Sequence, residues 1–542
     1  MIACDVRTGS QFLHLYAMGK LNIAVAGCQS WAGKQPGHRV KRSLRSLIIV
    51  ALITTVSSAE EGESRHGKWS LGVQNVIDTA SALPPEFSAD ALMDVVESGW
   101  VTDKSRRLKL LRHAFEQAAL VQQALKKRLA IDAQTDSRSG FQHLAFTLNL
   151  DRISLQTRAV NDLLPFDSDK AKDWFDEIRF PELDPIGCDE TLVYDPSSYY
   201  KTLANLAREA FSRSQKMDGH RFAWLIGHLA RIQSHTQIAP IAYELSSADL
   251  DLPPRELQDS AALLAAELQT MRGDQQSFSF AVSAPGSLGA IGAVRALLAR
   301  LGPENIAGVT LVGSLRSYLI NNFRDLRCNQ LSQSKSDSVP PPIGEFNQEF
   351  RVALQNAQLS PIASQEVGEY QTAAPPKSYP LWQSADAKQL LSDLQKLKFG
   401  PGGALTPIAE RESPTWTSQM SRLVTQLSSW TGNGEPEADV FHEKSEIYGG
   451  LIDITPPSPA RSDLLHAYVE FLEGTSFKTT SPVEWVFFAR RLLVGLKAKD
   501  YRAEVLHAFA DSRDQTLSLY AQIEGLRVTN DKPFNGIRQR TP

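Results

Sequence analysis

From residue 88 onward, apolar side chains recur every three or four positions, the spacing that lines one face of an α-helix. Leu108, Leu111, Phe115, Ala118, Val121, Leu125 and Leu129 form one such stripe, with Lys126, Lys127 and Arg128 crowding its expected last turn, where the helix dipole favours cations. Tyr199, Leu203, Leu206, Ala207 and Ala210 form a second, and Leu465, Tyr468, Val469 and Leu472 a third. Start and stop signals agree with the period: Ser481-Pro482-Val483-Glu484 reads as a capping box with proline at the first helical position,. Gly99 and Gly474 stand where a helix C-terminus favours a left-handed residue,. About twelve helices are expected,, with glycine- and proline-marked turns at 400–403, 432–436 and 456–459. No unit recurs at 34 or 40 residues,. The expected fold class is all-α, its helical hairpins packed as a bundle or an irregular superhelix.

Two stretches interrupt this pattern. Residues 331–384 collect Pro340-Pro341-Pro342 and Pro375-Pro376 among Ser, Gln and Asn, a linker composition with room for one short helix over 346–357,. The expected organisation is a leader over 1–59, an N-terminal helical domain over 60–330, the linker, a C-terminal helical domain over 385–530 and a flexible tail over 531–542. The second interruption is 277–313. There Phe278–Val282 reads as a strand, Gly286-x-x-Gly289-x-x-Gly292 as a turn into a helix, and 306–312 as a second strand,. The glycine spacing does not match G-x-G-x-x-G and no acid follows at Gly313-Ser314-Leu315-Arg316, so no dinucleotide cofactor is expected,.

The leader carries its own pattern. Lys41, Arg42 and Arg45 precede an apolar run over 47–56, and Ser57-Ser58-Ala59 follows, the three parts of a signal peptide over about 40–59 with cleavage after Ala59,. The run has ten residues where a membrane-spanning helix needs roughly 20,. Export to the periplasm or the exterior is therefore expected, with tethering by an uncleaved 47–59 segment as the alternative. The 39 residues before Val40 fit no signal-peptide region, which points to a start at Val40 and to residues 1–39 being untranslated. Cleavage leaves 483 residues with 50 basic and 60 acidic side chains, net −10. Such a chain has no electrostatic reason to bind nucleic acid or anionic lipid. Only Cys188 and Cys328 remain, and in an oxidising compartment they are expected to pair as a disulfide, with two separate buried thiols as the alternative,.

Candidate chemistry is sparse. The chain has no H-E-x-x-H, G-x-S-x-G, Walker loop or C-x-x-C,. His220, His228 and His235 recur at steps that share a helix face, though too far apart along it for one metal,. They are expected to be partly buried on a packed helix. Four of the eleven histidines follow an acid by three positions, at Glu63/His66, Asp439/His442, Asp463/His466 and Glu504/His507, where chance gives about one,. Three of these pairs fall in the C-terminal region, and acid and imidazole at i, i+3 on facing helices are the ligand arrangement of di-iron bundles. Asp439, His442, Asp463, His466, Glu504 and His507 are thus the candidate ligands of a divalent metal in an enzyme reading. Trp416 with Trp430, and Trp485 with Phe488, are expected in the core rather than as sugar-stacking surfaces,.

Ile186-Gly187-Cys188-Asp189-Glu190 ahead of Tyr199-Tyr200, and Phe441-His442-Glu443-Lys444 followed by Ala467-Tyr468-Val469-Glu470-Phe471-Leu472, resemble phrases in uncharacterised exported helical proteins of soil bacteria. The resemblance implies export and a helical fold, and no activity. The preferred expectation is an exported all-α scaffold or protein-binding module with no cofactor; a metal-dependent enzyme is the alternative.

Overall fold

Short polar side chains start many of the helices. Asp103, Asp151, Asp274, Ser384 and Ser413 each accept a hydrogen bond from the backbone N–H three residues on, each cap contributing about 1 kcal/mol. Pro85, Pro254 and Pro414 sit at the first or second helical position, where a missing N–H costs nothing. The structure, a computed structural model, describes residues 72–122, 127–129, 145–180, 183, 185–187, 192–284, 286–302, 304–325, 339–367, 381–400, 402–475, 482–493 and 500–529. Over these residues the protein is all-α, with more than twenty helices. Its one sheet among them is a two-stranded antiparallel ribbon that pairs Lys127–Leu129 with Leu192–Tyr194. No helix among them is long and apolar enough to cross a membrane.

Helix Pro85–Glu97 lies against Lys104–Leu120, which packs on Arg152–Leu163. Ser197–Glu209, Ile238–Ser246 and Ala290–Leu301 follow in contact, and Pro254–Thr270 runs along Ile306–Arg324. Farther on, Ala385–Lys398 packs against both Pro414–Ser429 and Glu437–Ile454, and Pro459–Thr475 against the latter. The expected stripes are buried: Tyr199, Leu203, Leu206 and Ala207 on one helix, Leu465, Tyr468, Val469 and Leu472 on another. Trp416 and Trp485 are core residues, as expected, donating their indole N–H to the carbonyls of Leu397 and Leu472.

The last helix among the described residues, Gln515–Thr529, returns to Pro85–Glu97, and buried charge closes the contact. Asp90 receives Arg158 at 2.7 Å, Arg490 at 2.8 Å and the Tyr520 hydroxyl at 2.8 Å. Arg158 also reaches Asp94 at 2.6 Å and Glu97 at 2.7 Å. Burial works against the Arg158 charge, but Glu97, Asp94 and Asp90 outweigh it and hold its pKa well above the usual guanidinium value. Burial, with Glu97 alongside, pushes the Asp162 pKa well above the carboxylate range.

Several local expectations are corrected. Residues 278–282 belong to helix Gln275–Ser283 and 306–312 to helix Ile306–Arg324. Phe-Ser-Phe alternation read as a strand because the helix is buried on more than one face, Gln276, Ser277, Phe278, Ser279, Ala281 and Val282 all being inside. The glycines between serve close packing: a Cβ on Gly289 or Gly292 would lie 2.2 Å from the Ala284 carbonyl oxygen or 2.1 Å from that of Gly286. The Leu108 stripe ends at Leu120, where Val121 turns extended, and 127–129 form a strand rather than a basic last turn. Gly99 is left-handed at φ 76°, whereas Gly474 lies inside helix Pro459–Thr475. Within the expected linker, Pro341–Glu349, Arg351–Asn356 and Ser364–Val367 are helical and bury Ile343, Phe346 and Phe350. The leader, the tail, Ser481, Cys188 and Cys328 lie outside the described residues.

Candidate functional site

The three acid–histidine pairs of the C-terminal region go to different places. Asp439 and His442 are buried on helix Glu437–Ile454, the His442 ring 5.4 Å from Phe488. Asp463 and His466 are exposed, and His466 Nδ1 faces the Ser462 carbonyl at 2.7 Å. Glu504 is gripped by the buried Arg461, at 2.8 Å from Nε and 3.1 Å from Nη2, while exposed His507 pairs with Asp511 at 2.8 Å. Among the described residues no three His, Cys, Asp or Glu side chains gather closely enough to hold a metal ion. Glu63 and His66 fall outside them. The i, i+3 spacing was visible in the sequence; what it could not show is that Arg461 consumes one carboxylate and solvent takes two imidazoles.

The His220, His228, His235 series is not one helix. Helix His220–Leu229 stops at Ala230, and His235 opens a 3₁₀ turn capped by Ser234. His220 is exposed. His228 bridges the Tyr199 hydroxyl at 2.8 Å and Asp176 at 2.9 Å, and Asp176 also receives the Trp224 indole N–H at 2.9 Å. Burial tends to raise the Asp176 pKa, but the bonds from His228 and Trp224 prevail and lower it. His235 is fully buried against Tyr318 at 2.9 Å, and burial, with Arg272 nearby, lowers its pKa to about 4. It is neutral at physiological pH. Both histidines hold elements together.

The groove lies elsewhere. Helices Ala385–Lys398 and Pro414–Ser429 enclose an open volume of about 340 Å³, lined by Asp386, Gln389, Leu390, Gln426, Ser429, Trp430, Thr431 and Asn433. The loop at its end is a run of left-handed residues, Gly432 at φ 88°, Asn433 at 43° and Gly434 at 94°. A Cβ on Gly432 would strike Val440 Cγ2 at 2.2 Å, so glycine is what allows the loop to sit on helix Glu437–Ile454. That conformation brings Asn433 to Asp386, its amide donating to the carboxylate. Trp430, named in the sequence as one of an aromatic pair, is buried at the groove floor.

Two glutamates fix the loop from below. Glu435 accepts the Ser384 N–H at 3.0 Å and Glu443 accepts that of Trp382, so together they anchor the segment that leads into Ala385–Lys398. The second oxygens of both carboxyls are buried with no donor among the described residues, and a proton held between them satisfies both. Burial raises the Glu443 pKa, the Trp382 N–H opposes it, and Glu435 and Asp439 carry it up to about 7. Nothing in the sequence marks this pair.

No protein-family model matches the chain and no curated protein does. Among solved structures, the NOT1 superfamily homology domain from Chaetomium thermophilum is similar at 13% identity over 89% of this chain and 97% of that one, with a TM-score of 0.17. Overlap that low carries no argument about architecture or partners.

Proposed function

We propose that the chain is an exported, all-α binding protein that holds a protein partner in the groove between Ala385–Lys398 and Pro414–Ser429. The groove itself carries this reading. Its rim residues Asp386, Gln389, Gln426, Ser429, Thr431 and Asn433 are exposed polar side chains, while its floor is fixed by Trp430 and the loop that Glu435 and Glu443 secure. Exposed hydrogen-bonding groups on a rigid base suit recognition, because little ordering cost falls on the binding step. The charged, apolar and small-residue succession over 40–59 supports export to the periplasm or the exterior,.

A photoreactive amino acid at position 426 of the full-length protein, irradiated in the cell of origin, tests the reading. The expected result is a discrete protein adduct formed from position 426 and absent when the probe replaces the exposed Lys201 on helix Ser197–Glu209. Equal labelling from both positions, or none from 426, would contradict it.

A further inference from the structure

Several polar groups of the groove wall are bonded to one another or to their own helix, which fixes where their free acceptors lie. Gln389 Nε2 donates to Asp393 at 2.9 Å, the Asn433 amide donates to Asp386, and Ser429 Oγ donates to the Thr425 carbonyl at 3.0 Å. These bonds leave Gln389 Oε1, Asn433 Oδ1, the second Asp386 oxygen and the Ser429 lone pairs as acceptors. Gln426 and Thr431 keep donors of their own, as does the Trp430 indole, whose buried Nε1–H has no partner among the described residues. Asp386 is the one charged residue of the lining. Lys396 pairs with Asp393 at 2.8 Å, and Arg422 acts on the same carboxylate.

We propose that this groove takes an arginine side chain of the partner, with Asp386 as its counter-charge and the neighbouring amide carbonyls completing its hydrogen bonds. The proposal rests on the reading of the groove as the partner-binding face. A guanidinium brings five donors and no acceptor, in a planar fork that suits a carboxylate flanked by carbonyls. An anionic group would meet a carboxylate in a lining that holds no cation. The net charge of −10 beyond Ala59 attracts a basic partner at longer range.

Full-length protein titrated by calorimetry at low salt with glycine-arginine-glycine, and with the same tripeptide carrying neutral citrulline or glutamate in the middle, provides the test. Only the arginine peptide is expected to bind, and Asp386→Asn is expected to weaken it at least about tenfold, the scale of one charge-assisted hydrogen bond. Gln426→Lys, an exposed substitution that sets a cation in the groove, should weaken it similarly, with the melting midpoint of each variant at the wild-type value showing that folding is intact. Equal binding of arginine and citrulline peptides, no binding of either, or unchanged binding in Asp386→Asn would overturn the proposal. So would a 426 adduct of undiminished yield in Asp386→Asn, which leaves the groove reading standing; loss of that adduct in the wild-type protein defeats the groove reading itself.

Discussion

Replacing Asp90 by alanine strips one buried carboxylate, 3% exposed, from two guanidinium groups and a hydroxyl that sit 2.7–2.8 Å away. Arg158 keeps Asp94 and Glu97, so most of the loss falls on Arg490, whose ion pair among the described residues is with Asp90. Removing one partner of a buried pair costs about 3–5 kcal/mol, and a stranded hydroxyl adds about 1. With Arg158 still compensated, the expected net loss is about 3–4 kcal/mol. Urea unfolding followed by circular dichroism measures it, and hydrogen exchange locates it: amides of Gln515–Thr529, the helix that Tyr520 ties back to Pro85–Glu97, should lose protection first. Asp90→Asn removes the charge while keeping an acceptor for Tyr520, and should fall between wild type and alanine. A loss below about 1 kcal/mol in Asp90→Ala, or unchanged protection over 515–529, would refute the claim that this network joins helix Gln515–Thr529 to helix Pro85–Glu97.

Glu443 gives a pH dependence of opposite sign to that of an ordinary ion-paired acid. Its pKa rises from 4.5 to about 7 on folding, so the folded state holds an extra proton across that window and stability falls as pH climbs through it, levelling above 7. The unscreened ceiling is about 3 kcal/mol, and solvent screening brings the expected effect to about 1–2. Glu443→Gln, whose amide can donate to Glu435 permanently, should melt above wild type at pH 8 and close to it at pH 5; parallel profiles would remove the shared proton. If the chain is cleaved after Ala59 as proposed, thiol counting under denaturing, non-reducing conditions is expected to find no free thiol, and two thiols would exclude a bond between Cys188 and Cys328. Intact mass of the protein recovered from the cell of origin is expected to place its N-terminus at Glu60, and recovery of peptides from 1–39 would exclude a start at Val40.

The helices that the sequence made legible are those with one wet face, such as Ser197–Glu209, where buried Tyr199, Leu203 and Leu206 alternate with exposed Lys201 and Glu209. Gln275–Ser283 was misread because burial on several faces erases the amphipathic period,. Arg213–Met217, Arg351–Asn356 and Ile408–Arg411 are too short to show any period. The sites were less legible still, because each depends on residues distant in the chain. Asp386 and Asn433 meet across 47 positions, Asp176 and His228 across 52, Asp90 and Tyr520 across 430. The acid–histidine spacing illustrates the converse: local geometry was read correctly, yet Glu504 is held by Arg461 from 43 residues away, and no local pattern reports that.

Hydrogen exchange of the full-length protein, with and without the partner captured at position 426, tests the central claim most directly. Binding in the groove predicts new protection over 385–390 and 426–433, the segments that carry its lining residues, with the remaining helices unchanged. Protection that appears elsewhere while these two segments stay as they were would contradict it.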